Sequence, residues 1–214
     1  MASILIVPGL AVRSYAVPAA EGLRVDGHTV DLLPAPTWRG VPDELLRYGR
    51  WLAERVRASG SPVDLLVGLS LGTQAAAVAA LDCDVRRLLL VSPTVDPSRR
   101  SRGRLLASWL HGDRHPDSES LGQQAPDWAR AGPGRIYRGM MSAIHLPLED
   151  LLPEVSAEVT IVHAGWDNLT SFTYAASLAS DGVAQLVELP AAPHSWPIGD
   201  IPRFRSLVRD LLST

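Results

Sequence analysis

Short apolar runs alternate along the chain with stretches in which apolar residues recur every three or four positions. The runs Ser3 to Val7, Thr29 to Leu33, Val63 to Val67, Arg87 to Val91, Val159 to His163 and Gln185 to Leu189 read as strands, because each is brief, rich in branched side chains and bounded by turn residues. Between them the helical period predicts helices over about 15–27, 43–59, 72–81, 170–180 and 201–212. Strands that are apolar throughout, separated by helices, imply a parallel sheet buried on both faces. The expected architecture is therefore α/β: a doubly wound, mainly parallel six-stranded sheet.

One interval breaks this rhythm. From Ser92 to about Ala157 no convincing strand occurs; "SPTVDPSRRSRGRLLASWLHGDRHPDSES" is followed by helix-like material only around Arg135 to Ile144 and Leu148 to Leu152. Excursions this long within a compact domain usually serve a function. No internal repeat marks a second unit, and 214 residues suit a single domain, 1–214, with an insertion over about 93–145.

Composition narrows the class. A hydrophobic fraction of 46% with 20% charged residues belongs to a soluble globular chain, and a net charge of -3 gives no polyanion-binding signal, so nucleic acid is not an expected partner. All 20 basic side chains are arginine, which together with abundant alanine points to a GC-rich bacterial source. Cys83 is the single cysteine, which excludes an intramolecular disulfide, and it reads as a small packed residue near a helix end. The apolar start "MASILIVPGL" lacks a preceding basic residue and breaks at Pro8-Gly9, unlike a signal peptide; no run approaches a membrane span. A cytoplasmic protein without membrane association is expected.

The candidate chemistry centres on "VDLLVGLSLGTQAA", residues 63–76, where Gly68, Ser70 and Gly72 fit G-x-S-x-G at the junction of a predicted strand and helix. A sharp turn there would expose the serine hydroxyl at the top of the sheet, with small residues required on either side. A serine is a weak nucleophile until a base takes its proton, so a histidine and an acid are expected further along, in the order serine, acid, histidine. "VTIVHAGWDNLT" presents Asp167 after a strand, and "VELPAAPHSWP" presents His194 after the last one. Asp96, which follows the strand after the elbow, is the alternative acid.

With these residues in place the chain resembles the α/β-hydrolase family over nearly its whole length. The resemblance implies that Ser70 is the nucleophile, His194 the general base and then acid, and Asp167 the group that orients His194. It also implies an oxyanion hole built from the backbone N–H groups of Leu71 and, in the loop "IVPGLAV", of Leu10. Two departures stand out: Pro8-Gly9 occupies the place where many members carry His-Gly, and the two antiparallel strands that often open the fold are missing, leaving a trimmed sheet of order 2-1-3-4-5-6. Residues 93–145 would form a small lid.

The implied function is a serine hydrolase acting on an ester or thioester of a small or medium acyl substrate, possibly carrier-bound, through an acyl-enzyme. Neither metal nor organic cofactor is required. Trp109, Trp128, Trp166 and Trp196 are candidate substrate-binding residues, with Tyr137, Met140 and Met141 as further lid side chains. The same fold and triad also serve lyases, cyclases and acyltransferases, and a non-catalytic binding protein is a third class, though it would not need all three triad residues. His111, Asp113, His115 and Asp117 lack a zinc-type spacing and read as a solvated loop; His163 reads as a packed strand residue. The run Arg99, Arg100, Arg102 and Arg104 reads as a solvated face, with attraction of an acidic carrier or carboxylate as its functional alternative.

Overall fold

The apolar runs become strands β1 (Ser3–Val7), β2 (Thr29–Leu32), β3 (Val63–Leu69), β4 (Val85–Val91), β5 (Glu158–Ala164) and β6 (Gln185–Leu189). They form one sheet in the order β2-β1-β3-β4-β5-β6, and every neighbouring pair is parallel. The computed structural model of the chain describes residues 1–111 and 121–213, excluding the side chains of Trp109, Leu110, His111, Leu121 and Asp181. The sheet and its order are those expected from the sequence. Asp113, His115 and Asp117 lie outside the described residues, as do the side chains of Trp109 and His111.

Alternation within the strands feeds two cores. Leu66, Leu88, Leu90 and Ile161 face helices α2 (Leu45–Ser59), α3 (Gly72–Asp82) and α8 (Phe172–Leu178). Ile4, Ile6, Leu65, Val67, Leu89 and Val162 face α1 (Val17–Val25) and α10 (Ile201–Ser213), whose Leu23, Phe204 and Val208 are fully buried. Neither cluster leaves an apolar face of the central strands in water, which explains why β3 and β4 read as continuous rather than alternating runs. Helix α3 is buried over residues 72–80, and its alanines let a helix sit between the sheet and α2 without a bulky interface. Cys83 follows α3 as its half-buried cap, its thiol donating to the Ala79 carbonyl.

Among the described residues between β4 and β5 there are four α-helices: α4 (Arg102–His111), α5 (Leu121–Ala131), α6 (Pro133–Ile144) and the short α7 (Leu148–Leu151). Only α6 and α7 were expected. Helix α4 opens with Arg-Gly-Arg, and α5 carries Gly122 and an internal Pro126, so propensity argued against both. A four-residue α9 (Trp196–Gly199) precedes α10. No helix among the described residues is long and apolar enough to cross a membrane.

The chain leaves β1 toward one edge of the sheet and leaves β3 toward the other. Loops that follow these adjacent strands must diverge, which opens a crevice at their carboxyl ends. Residues 8–12 and Ser70 border that crevice.

Candidate active site

Ser70 follows β3 directly and adopts φ +54°, a left-handed conformation unusual for a residue with a Cβ. The backbone is held there by its own hydrogen bonds: Ser70 N–H donates to the Val91 carbonyl at 2.9 Å, and its carbonyl accepts from the Thr73 N–H and hydroxyl at 3.0 and 2.6 Å. The flanking glycines answer to close approach. A Cβ on Gly72 would lie 2.5 Å from the carbonyl oxygens of Val7 and Pro8, and one on Gly68 would lie 2.7 Å from the Thr73 Cα. The spacing G-x-S-x-G is thus what packs β1, β3 and α3 around one turn.

Ser70 Oγ stands 2.8 Å from His194 Nε2, and His194 Nδ1 stands 2.8 Å from Asp167 Oδ2. An ionised carboxylate can only accept, so the proton of neutral His194 resides on Nδ1, leaving the Nε2 lone pair to accept from the serine hydroxyl. The Asp167 side chain is fully buried and that of His194 nearly so. The other oxygen of Asp167 accepts from the Leu169 and Thr170 N–H groups at 2.7 and 3.2 Å, which fixes the plane of the carboxylate. The turn bearing Asp167 is joined to the loop bearing His194 by two backbone bonds, Gly165 N–H to Leu189 and Trp166 N–H to Ala192. Asp96, the alternative acid, points elsewhere: its carboxylate accepts from Ser98 and Ser171. Burial alone would raise the Asp96 pKa, but the donors from Ser171 and Ser98 outweigh it and hold the carboxyl below its ordinary range.

Two amides in the segments that meet at Ser70 are not used by the described backbone. Among the described residues the N–H groups of Leu10 and Leu71 donate to no protein acceptor, whereas the Gly9 N–H is taken by the Tyr15 hydroxyl at 2.9 Å. A Cβ on Gly9 would come within 3.2 Å of the Ser70 Cβ, so the β1 loop lies directly against the serine. Leu71 also caps the N-terminus of α3, where the helix dipole favours negative charge.

The helical insertion is fastened onto this loop. Asp127 of α5, buried, accepts from the Arg13 and Ser14 N–H groups at 2.8 and 2.9 Å. Arg135 of α6 donates to the carbonyls of Thr37, Trp38 and Val41, and the Trp38 indole donates to the Ala11 carbonyl. Tyr15, Asp127, Trp38 and Arg135 carry no motif, and sequence reading missed them. Asp127 and Arg135 bond to backbone groups 114 and 98 positions away, Trp38 to one 27 positions away and Tyr15 to one only 6 away, and none of these pairs follows a local sequence pattern.

The aromatic candidates separate. Trp128 is half-buried and packs against both cores, which places it over the sheet's carboxyl rim. Trp166 stands beside Asp167 and is 45% exposed. Trp196 does not line an open pocket: it is 1% exposed, its ring set edge-on to Phe204 in the core. That corrects the expectation from its place beside His194, because the first turn of α9 rotates the ring inward. Tyr137 faces solvent and Met140 faces the core. His163 is buried in β5 with Nε2 3.3 Å from the Thr170 carbonyl, a packed strand residue as expected. Arg100 is committed to Glu149 at 2.6 Å, while Arg102 and Arg104 are exposed. Among the described residues no group of metal-ligating side chains is assembled. A cavity of about 470 Å³ bordered by Leu65, Arg87 and Glu158 opens at the amino ends of the strands, away from Ser70.

Solved structures share this arrangement of elements. A hydrolase from Oleispira antarctica superposes with a TM-score of 0.79 at 15% identity, covering 100% of this chain and 92% of the other. The chain has the α/β-hydrolase fold. Also similar are an esterase from Exiguobacterium antarcticum (TM-score 0.77, 14% identity, 100% and 94% covered) and the enol-lactonase from Burkholderia xenovorans (0.74, 16%, 100% and 92%). No family sequence model and no curated protein matches the chain. On this α/β-hydrolase fold, Ser70, Asp167 and His194 arise from three different loops at one rim of the sheet.

Proposed function

We propose that the protein is a serine hydrolase that cleaves an ester or thioester of a small or medium acyl group. The unbroken chain of contacts from Ser70 Oγ through His194 to Asp167 carries this reading. His194 Nε2 removes the hydroxyl proton as Ser70 Oγ attacks the carbonyl carbon, and the imidazolium formed is stabilised by the buried Asp167 carboxylate. The N–H groups of Leu10 and Leu71 hold the oxyanion, aided by the α3 terminus. His194 then protonates the departing alcohol or thiol, and water repeats the sequence on the acyl-enzyme. No metal or organic cofactor enters. The names of similar structures, an esterase and an enol-lactonase among them, support hydrolysis of a carboxylic ester. A small-molecule acyl substrate, free or carrier-bound, in a bacterial cytoplasm completes the proposal.

A fluorophosphonate probe with mass mapping of the adduct tests it. Phosphonylation of Ser70 and turnover of acyl esters or thioesters are expected. A folded protein that leaves the probe unreacted, or carries it on another residue, overturns the mechanism.

In this proposal the insertion acts as a lid, and Trp128 forms part of the acyl wall. Trp128→Ala then removes about 2 kcal/mol of acyl-chain burial, which lowers kcat/KM for an octanoyl ester roughly thirtyfold with much less change for an acetyl ester. Comparison of the two esters checks it. Equal losses would mean that Trp128 only packs the insertion onto the sheet.

A further inference from the structure

The segment that follows β4, residues 92–96, touches the loops that carry the acid and the base of the proposed triad and the helix that follows Ser70. Ser92 Oγ donates to the His194 carbonyl at 2.9 Å. The Pro93 carbonyl accepts from the Thr170 hydroxyl, Thr94 is paired with Gln74 in α3 just beyond Ser70, and Asp96 reaches Ser171. The backbone is forced to do this: Ser92 and Val95 have φ of +50° and +67°, and for a β-branched valine the left-handed region is a true outlier.

Asp96 is the charged member of the set. It is buried, and four donors converge on it: the Ser98 N–H and hydroxyl on Oδ1, the Ser171 N–H and hydroxyl on Oδ2. The first pair is an ordinary cap for the turn Pro97–Arg99, and a cap needs only one oxygen. The second pair spans 75 positions of sequence to the residue that ends the Asp167 turn. Within that turn the Leu169 and Thr170 N–H groups orient Asp167, so Ser171 and Thr170 are where the turn is anchored.

From this geometry we infer that Asp96 is a positioning residue, which clamps the Asp167 turn to the end of β4 through Ser171 and thereby sets the alignment of His194. The inference rests on the proposed hydrolase mechanism. Asparagine cannot replace the carboxylate, because it must turn either its NH₂ toward two donors at Ser171 or toward two donors at Ser98; a hydroxyl can rotate to accept, but a backbone N–H cannot. Serine at 171 also caps α8, accepting from the Tyr174 N–H at 3.2 Å, so the clamp and the helix start share one side chain.

The test compares Asp96→Asn and Ser171→Ala with the unaltered protein, on a small ester, as pH profiles of kcat and KM corrected for the fraction of molecules that a fluorophosphonate titrates. A loosened Asp167 carboxylate supports the His194 imidazolium less, which lowers the histidine pKa. Both variants are therefore expected to lose about tenfold in corrected kcat with KM little changed, and to shift the acid limb of the profile downward by about half a unit. The other titratable groups packed around the clamp, Arg100, Glu149, Tyr174 and His163, are the same in all three proteins. Loss of titratable fraction with an unmoved limb would make Asp96 purely structural and overturn the inference. A shift in Asp96→Asn without one in Ser171→Ala would show that the charge acts directly, which also overturns it. Should Asp96→Asn fail to fold, Ser171→Ala decides, since it keeps the Asp96 charge and its bond to the Ser171 N–H. A wild-type protein unreactive toward the probe removes the hydrolase reading and this inference together, whereas a reactive wild type with unshifted variants removes only the role of Asp96.

Discussion

Ser70→Ala is expected to lower kcat by about 10³-fold or more while the protein stays folded. The bonds that hold the elbow involve the backbone of residue 70, through the Val91 carbonyl and the N–H and hydroxyl of Thr73, and none of them uses the serine side-chain hydroxyl. Alanine meets the same left-handed φ with no larger a side chain, so the turn keeps its geometry. What disappears is the hydroxyl oxygen that stands 2.8 Å from His194 Nε2, the atom that takes the acyl group in the proposed mechanism. Rates on an activated ester, with circular dichroism as the check on folding, measure the effect. Near-normal turnover by a folded variant would place the nucleophile elsewhere.

Asp167→Asn is expected to cost about 10⁴-fold in kcat at neutral pH, through the direction of one proton rather than through loss of shape. The Leu169 and Thr170 N–H groups both point at Oδ1 and demand an acceptor there. An asparagine must therefore present its oxygen to them and its NH₂ to His194. That selects the tautomer protonated on Nε2, and a protonated Nε2 cannot accept from Ser70. Single-turnover rates across pH measure the loss. A fall of less than tenfold would show that another group orients the imidazole.

Much of this could be read from the chain because it rests on short-range rules. Apolar runs such as Val63 to Val67 define strands, their alternation with helices defines a parallel sheet, and the order of Ser70, Asp167 and His194 follows from which loops leave the carboxyl ends. The choice of Asp167 over Asp96 is different. Both follow strands of the same sheet, and only the donors from Ser98 and Ser171 show why one of them turns away. Trp196 misled for a related reason: adjacency to His194 in sequence says nothing about the turn that sends its ring into the core. Helix α5 was hidden because it is held by contacts such as Asp127 with the β1 loop, against the local preferences of Gly122 and Pro126.

The two rims of the sheet handle left-handed backbone differently. On the amino side, ahead of β2, β3 and β6, the residues with positive φ are Gly27, Gly60 and Gly182, for which that conformation is cheap. At the carboxyl side they include Ala11, Thr37, Ser70, Ser92 and Val95, each with a Cβ. At roughly 1 kcal/mol or more apiece, five such residues hold about 5 kcal/mol, comparable with the entire net stability of an ordinary domain. Unfolding would release that strain, so the carboxyl rim lowers the melting point of the very sheet that supports it. The molecule is accordingly least relaxed where the serine sits, and a version optimised for heat resistance alone would be expected to change this rim first.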